Sequence, residues 1–160
     1  MKPKQLETLI KEQHADAYRW ARQCCHFQDA RAQDVLQQVY LKILEGKAVF
    51  NGHSSVKTWL FSLIRYTAWE HNRKDIPMQM LEDGMDIVAE EIEETQLNHE
   101  QLMLRLPAQQ REVLTLVFYH ELTLEKAAEV MGLHIGTVRT HYDRAKKSLK
   151  TWILEKKAYE

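Results

Sequence analysis

One stretch near the C-terminus decides the fold of this chain, Leu122-Thr-Leu-Glu-Lys-Ala-Ala-Glu-Val-Met-Gly-Leu-His-Ile-Gly-Thr-Val-Arg-Thr-His-Tyr-Asp-Arg-Ala145. Thr123 can cap a short helix, on which the small residue Ala128 faces inward. Gly132, four residues later, suits a sharp turn because glycine accepts a positive φ. Val138 then begins the inward face of a second helix. Small, turn-forming and branched residues thus stand where two helices must cross closely, and they predict a helix-turn-helix.

The second helix of this motif is the candidate DNA-binding element, because residues near the start of such a helix meet base edges in the major groove. Helical periodicity turns one set of its residues toward the core: Val138, Tyr142, Ala145 and Leu149. The set predicted to contact DNA lies on the other face: Thr137, Arg139, Thr140, Asp143, Arg144 and Lys147. Arg139 and Arg144 are the candidates for reading bases, since an arginine paired bidentately with guanine supplies roughly 1 to 3 kcal/mol of discrimination.

Phosphate contacts are expected from the same helix. The groups better placed for phosphate than for base edges are Lys146, Lys147, Lys150 and the backbone amides near Thr137. Asp143 would repel phosphate unless it accepts a hydrogen bond from cytosine or orients an arginine. A plain helical hairpin with a solvated basic face remains the alternative interpretation.

Helical patterns also organise the N-terminal half. Residues 4–26 read as one or two helices, and Asp29 is a plausible N-cap for the next helix, which ends near Gly46. The apolar stripe expected on that next helix consists of Val35, Leu36, Val39, Tyr40, Ile43 and Leu44.

A further helix is predicted after the Asn51-Gly52 turn signal, with Ser54 or Ser55 as its cap. Its residues at helical spacing are Val56, Trp59, Leu60, Leu63, Ile64 and Thr67. Trp59 and Trp69 are both assigned to core packing.

The composition and charge distribution favour an all-α fold with two small domains. Hydrophobic residues make up 44% of the chain and charged residues 28%, with only 5 Gly and 3 Pro, which suits a compact helical protein. The net charge is +4 over residues 1–75, −8 over 76–104 and +3 over 105–160. We therefore expect two helical domains, at 1–75 and 102–160, joined by an acidic linker at 76–101. Basic faces suit a phosphate-binding protein, although on charge alone an ordinary solvated surface is the simpler explanation.

Catalytic and metal-binding motifs are missing from the sequence. It holds no nucleophile with its base and no glycine-rich phosphate loop. Cys24 and Cys25 are adjacent on a predicted helix, so reduced thiols are expected, and with His14 and His26 they lack the spacing of a structural zinc site. We expect no enzyme activity, cofactor, metal or small-molecule substrate. Because the sequence shows neither a signal peptide nor an apolar run of about 18 residues, we expect a cytoplasmic protein without membrane insertion.

The C-terminal block resembles region four of the sigma-70 family, specifically of the short extracytoplasmic-function sigma factors. The segments that carry this resemblance are Leu106-Pro107, Arg111-Glu112-Val113-Leu114, Glu121-Leu122-Thr123, Glu125-Lys126-Ala127-Ala128, Met131-Gly132, Gly136-Thr137-Val138-Arg139 and Arg144-Ala145. In that family this domain reads the minus-thirty-five promoter element and contacts the flap of the polymerase β subunit. The resemblance thus implies that the DNA-contacting set named above reads a minus-thirty-five element.

The N-terminal block resembles region two of the same family, which binds the clamp helices of the polymerase β′ subunit and captures the minus-ten element. The segments concerned are Asp29-Ala-Arg-Ala-Gln-Asp-Val-Leu-Gln-Gln-Val-Tyr40 and Ser54-Ser-Val-Lys-Thr-Trp-Leu60. The implied polymerase contacts are Asp34, Gln37, Gln38 and Leu41. Gln38 stands where the family usually has glutamate.

Residues 49–55 resemble the family's loop that holds a flipped minus-ten base. The residues that this likeness assigns to minus-ten DNA are Asn51, His53, Ser54, Ser55, Lys57 and Arg65. The acidic linker would thread polymerase channels later used by RNA, or would serve as a solubilising spacer.

The resemblance as a whole implies a sigma factor that binds core RNA polymerase, recognises two promoter elements and directs transcription initiation, with an anti-sigma factor as a further partner. One alternative is a regulatory protein that keeps the sigma shape but acts only by binding another protein. A second is a simple helix-turn-helix regulator, against which the region-two resemblance argues.

Overall fold

The computed structural model of the chain describes residues 3–75 and 99–158, without the side chains of 74–75 and 156–158. Within these ranges the regular structure is helical and contains no strand, which confirms the predicted all-α fold class. The helices divide between two compact units, one built on the N-terminal helices and the other mainly on the C-terminal ones.

Four helices build the first unit: α1 (Pro3–Glu12), α2 (His14–Cys24), α3 (Asp29–Leu44) and α4 (Val56–Asp75). Its core lies where α2, α3 and α4 meet, and its fully buried large side chains include Trp20, Val35, Val39, Leu60, Phe61 and Ile64. The Trp20 and Phe61 rings stack with centroids 5.7 Å apart, and the Trp20 indole N–H donates to the Phe61 carbonyl at 3.0 Å. This aromatic pair anchors α2 on α4, because stacked rings add a specific contact to a large buried apolar area.

The connection from α2 to α3 does not use the predicted cap. Asp29 is already the first residue of α3, and Gln28 takes the cap position without a side-chain hydrogen bond, so the expected N-cap role of Asp29 is wrong. The Asp29 carboxylate instead accepts hydrogen bonds from the Tyr18 hydroxyl at 2.8 Å and from Arg22 Nε at 2.7 Å. The Tyr18 hydrogen bond and the adjacent Arg22 charge lower the pKa of Asp29. A charge-assisted contact with α2 has thus replaced a local cap.

The end of α3 follows the predicted pattern except at its last residue. α3 ends at Leu44, two residues before Gly46, whose φ of +75° turns the chain out of the helix. Leu44 was expected on the apolar stripe but is 82% exposed, because it stands at the very end of the helix, beyond the packed core.

The two tryptophans assigned to core packing differ. Trp59 is half-buried and meets Phe50 edge-on, with ring centroids 5.3 Å apart. Trp69 is 54% exposed, so its assignment to the core is wrong. Ile64 and Ala68 lie on the buried face of α4. Trp69 follows Ala68 and is therefore rotated by about 100° around the helix axis, away from that face.

The second unit is built mainly on α5 (His99–Leu104), α6 (Ala108–Leu114), α7 (Leu124–Met131) and α8 (Ile135–Ala158). Its buried residues include Met103, Leu106, Val113, Leu116, Ala127, Val138 and Ala145. α6 continues into a π-helical turn over Thr115–Tyr119, where the His120 N–H donates to the Thr115 carbonyl at 3.1 Å. Positions 76–98 of the predicted acidic linker lie outside the described residues.

Candidate nucleic-acid and polymerase interfaces

The predicted helix-turn-helix is present as α7, a turn and α8. Thr123 caps α7, since its hydroxyl oxygen accepts the Lys126 backbone N–H at 3.2 Å, and Gly132 makes the turn with a φ of +65°. α8 has a cap that the sequence analysis missed, because His134 Nδ1 accepts the Gly136 backbone N–H at 3.0 Å. The start of the second helix is therefore held by a side chain as well as by packing.

The outer face of α8 carries all six residues predicted to contact DNA. Thr137, Arg139, Thr140, Asp143, Arg144 and Lys147 are exposed. On the opposite face Val138 and Ala145 are fully buried, while Tyr142 and Leu149 are half-buried. Helical periodicity therefore separated the two faces correctly, and DNA contact by the outer face stays a prediction.

Contacts along α8 moderate the charge of Asp143. Its Oδ1 lies 3.7 Å from Lys146 Nζ, one turn further along the helix, and that ammonium also lies 4.3 Å from the Tyr142 ring centroid. The Thr140 hydroxyl donates to the Gly136 carbonyl at 3.0 Å, which leaves its oxygen lone pairs directed outward as acceptors. The outer face thus combines two arginines with a carboxylate whose charge is partly offset.

The loop before α4 uses several of its polar side chains to shape itself. Asn51 Oδ1 accepts the His53 backbone N–H at 3.1 Å, and Ser55 Oγ accepts the Thr58 backbone N–H at 3.1 Å. These bonds confirm the turn at Asn51-Gly52 and identify Ser55 as the cap of α4. Asn51, His53 and Ser55 are exposed, so contact with a base would exchange or share hydrogen bonds that already exist.

The remaining residues assigned to minus-ten DNA are less exposed. Ser54, Lys57 and Arg65 are of intermediate exposure. The Lys57 ammonium lies 5.7 Å from the centroid of the Phe61 ring. Three of the four loop side chains, those of Asn51, His53 and Ser55, are therefore more exposed than the two cations on α4.

The residues assigned to polymerase form one stripe on α3. Asp34, Gln37, Gln38 and Leu41 recur at helical spacing and are all exposed, with Leu41 at 48%. The opposite face of α3 is buried through Ala32, Val35, Leu36 and Val39. The four residues predicted from the sequence thus share one exposed surface of α3. Contact of this surface with polymerase stays a prediction.

A row of polar contacts, here called the polar seam, joins α3 to α4 beside this stripe. Its four pairs are Arg31 with Asn72, Gln38 with His71, Lys42 with Thr67 and Lys42 with Glu70. Residue numbers along the seam rise on α3 while those of their partners fall on α4, so the two helices run antiparallel. The Lys42–Glu70 ion pair is the shortest contact, at 2.8 Å.

An exposed aromatic pair on α4 was missed by sequence reasoning. Tyr66 is 57% exposed, Trp69 is 54% exposed, and their rings stack with centroids 6.2 Å apart. The Arg73 guanidinium lies 5.1 Å from the Trp69 ring centroid, and the Lys42 ammonium lies 5.4 Å from that of Tyr66. The sequence carried one signal for this exposed pair, because α4 contains more large apolar residues than a single buried stripe can hold.

Other chemistry is limited in the part of the chain that is described. Both cysteines are free, and burial raises the pKa of the Cys25 thiol to about 11, which keeps it protonated and unreactive at neutral pH. No cluster of three or more metal-ligating side chains occurs within residues 3–75 and 99–158. Across the same ranges, every helix is too short or too polar to span a membrane.

The described helices thus define an all-α protein with a helix-turn-helix in α7 and α8 and a separate exposed stripe on α3. The family model for sigma-70 region 4 matches residues 98–149. The RNA polymerase sigma factor YlaC of Bacillus subtilis is 32% identical over 130 residues, which cover 74% of this chain and 75% of that protein. SigV of the same organism is 29% identical over 150 residues, covering 91% of this chain and 89% of the relative.

The chain therefore belongs to the sigma-70 family of RNA polymerase sigma factors, in the extracytoplasmic-function group, as the sequence motifs predicted. Its fold is similar to that of the sigma factor RpoE of Bartonella quintana, solved in complex with the anti-sigma factor NepR. That likeness has a TM-score of 0.73 at 22% identity and covers 94% of this chain and 97% of RpoE.

Proposed function

We propose that this chain binds core RNA polymerase, recognises a minus-thirty-five and a minus-ten promoter element, and directs transcription initiation from them. One observation carries this proposal, namely that α8 exposes all six candidate DNA contacts opposite a fully buried Val138 and Ala145. A helix of a helix-turn-helix with such a face can lie in a major groove without disturbing its own core.

The minus-thirty-five element is read by α8. Arg139 and Arg144 recognise base edges, while Lys147 and the helix start near Thr137 hold phosphates. Asp143, with Lys146 beside it, accepts a hydrogen bond from cytosine or orients an arginine.

The minus-ten element is held by the first unit, at the loop of Asn51, His53, Ser54 and Ser55 and along the neighbouring α4. Stacking in a DNA duplex averages about 1.4 kcal/mol per base-pair step, and extruding one base costs a few kcal/mol, so a short loop does not maintain an open bubble alone. The loop therefore captures a base while polymerase stabilises the open strands. The Tyr66–Trp69 pair supports this role, because exposed aromatics flanked by cations are typical stacking platforms for single strands.

The core enzyme binds the α3 stripe through the clamp helices of β′, and the second unit through the flap of β. The stripe offers Asp34, Gln37 and Gln38 as polar contacts and Leu41 as an apolar one. The protein acts as an initiation factor rather than as an enzyme, and it works in the cytoplasm, where polymerase is found.

An anti-sigma factor is a further proposed partner. The support is that RpoE was solved with NepR and that CnrH, a second neighbour with a TM-score of 0.62, was solved with the cytosolic domain of CnrY. The anti-sigma factor would hold the chain away from polymerase until a signal releases it.

Transcription with purified components tests this function. The full chain is added to bacterial core polymerase with a genomic DNA library, and the transcripts are sequenced. We expect start sites that share two spaced upstream elements. Lys11→Ala, which changes an exposed cation on α1, serves as a matched control and should give the same start sites. If no polymerase complex forms and no specific transcript appears, the chain acts by binding another protein instead.

A further inference from the structure

The inference concerns Gln38 and its partner across the polar seam, and it rests on the proposed binding of polymerase by the α3 stripe. Gln38 is exposed at the centre of that stripe. Its amide nitrogen Nε2 lies 3.5 Å from Nδ1 of His71, a half-buried residue of α4. A residue of the candidate polymerase surface is thus attached to a residue of the neighbouring helix.

The direction of this hydrogen bond determines what Gln38 offers to a partner. Because an amide nitrogen only donates, this contact is a hydrogen bond in the His71 tautomer whose Nδ1 carries no proton and can accept. The amide oxygen and nitrogen occupy opposite edges of one planar group. Since Nε2 faces His71 and the Gln38 side chain is exposed, Oε1 at the other edge of the amide can accept a hydrogen bond from a partner.

The rest of the polar seam holds the two helices in the register that this contact needs. One turn along α3, Lys42 Nζ donates to Glu70 Oε1 at 2.8 Å and to Thr67 Oγ1 at 3.0 Å. Toward the start of α3, Arg31 contacts Asn72 at 3.5 Å, and the Asn72 amide donates to the Cys24 carbonyl at 3.1 Å. Thr67 and Asn72 are buried, so the seam is fixed from within the unit on both sides of His71.

We propose that His71 is a positioning residue for polymerase binding: it holds the Gln38 amide with its oxygen outward, so that a neutral side chain presents a fixed acceptor to a donor of the core enzyme. The donor that suits this acceptor is a guanidinium or an ammonium group. A carboxylate needs no such partner, because one of its two equivalent oxygens faces outward whichever way it turns.

A double-mutant cycle on the full chain tests this proposal. The variants are His71→Phe, which keeps an aromatic ring but removes the acceptor, Gln38→Glu, and the two combined. Affinity for purified core polymerase is measured by titration at one fixed salt concentration. We expect His71→Phe to weaken binding about 3- to 10-fold when Gln38 is present, the range of one ordinary hydrogen bond. In the Gln38→Glu variant the same change should alter affinity less than about 2-fold.

Two controls separate positioning from structural damage. Thermal unfolding of each variant shows whether the first unit remains folded. Lys11→Ala, at an exposed cation of α1 outside every proposed contact, should leave polymerase affinity unchanged.

The possible results lead to different conclusions. If the wild-type chain does not bind core polymerase, the proposed function itself fails, and this inference fails with it. If the wild type binds and His71→Phe has no effect, or weakens binding equally in both backgrounds, the positioning role is overturned and the proposed function stands.

Discussion

The recognition helix α8 and the α3–α4 pair present polar side chains in contrasting ways. On α8 the contacts of Thr140 and Asp143 stay within one helix, three or four residues away along the chain. In the polar seam each contact joins two different helices. The contacting residues are 25 positions apart in the sequence for Lys42–Thr67 and 41 positions apart for Arg31–Asn72. A substitution on the outer face of α8 therefore affects few other residues. A substitution in the seam removes a contact with the second helix as well.

This difference would suit the two partners proposed above. Promoter sequences differ, so a reading surface benefits from side chains that act one at a time. The polymerase surface is a single fixed target, so a pre-organised arrangement loses less conformational entropy on binding.

The largest expected effect comes from removing the core beneath the α3–α4 pair. Trp20→Ala should destabilise the first unit by about 3 to 5 kcal/mol, because it removes a fully buried indole stacked on Phe61. Chemical denaturation measures the loss. Polymerase binding should fall with it, while minus-thirty-five DNA binding through α8 should persist. Loss of both activities together would show that the two regions do not act separately.

Arg144→Ala tests the single-residue character of the recognition helix. It should reduce affinity for the preferred minus-thirty-five sequence by roughly 1 to 3 kcal/mol and relax discrimination at one base pair. Gel-shift competition between single-base variants of the site provides the measurement. Binding to core polymerase should stay intact, and its loss would show that the face of α8 had been misassigned.

Trp69→Ala tests the exposed aromatic pair on α4. Because the indole is 54% exposed, the free energy of unfolding should change by only about 0.5 kcal/mol or less. Promoter opening should weaken by roughly 1 to 3 kcal/mol if one base stacks on the ring. Fluorescence of 2-aminopurine in the minus-ten element follows the opening, and a premelted template should restore it. Leu44→Ala, at another exposed apolar residue, is the control, and an equal defect there would contradict a specific stacking role.

The smallest effect is a pH dependence at the α2–α3 connection. The Tyr18 hydrogen bond and the Arg22 charge lower the pKa of Asp29 in the folded chain, so the unfolded chain binds a proton more readily. The stability from this contact is present above the unfolded pKa of about 3.9 and is lost as the pH falls through the folded pKa. Denaturation between neutral pH and the acid range should therefore show a shallower decline for Asp29→Asn than for the wild type. If stability depends on pH identically in the two proteins, Asp29 does not contribute to the loss of stability in acid.

Much of the fold and of the candidate DNA-reading face could be predicted because both depend on local rules. Thr123 and Ser55 cap helices as their residue types indicate, and the faces of α8 follow from a period of about 3.6 residues. The stripe of Asp34, Gln37, Gln38 and Leu41 is exposed for the same reason.

Two of the errors arose because other residues of the fold decided the surroundings of a side chain. Asp29 has the right residue type for a cap, yet Tyr18 and Arg22 of α2 bind its carboxylate. Trp69 has the right size for a core, yet Ile64 and Ala68 had already filled the buried face. The Asp29 outcome depends on which helix packs nearby, whereas the excess of large apolar residues on α4 already indicated that some of them would be exposed.

By itself the sequence predicted an all-α chain with a helix-turn-helix near its C-terminus, since periodicity and caps act over a few residues, and its motifs carried the resemblance to sigma factors. Only the tertiary structure decided that the Gln38 amide meets His71 and that Tyr66 and Trp69 share an exposed surface with Arg73. The physical reason is that the face of a helix is a property of its own sequence. The partners that meet that face are set by how the antiparallel helices α3 and α4 pack.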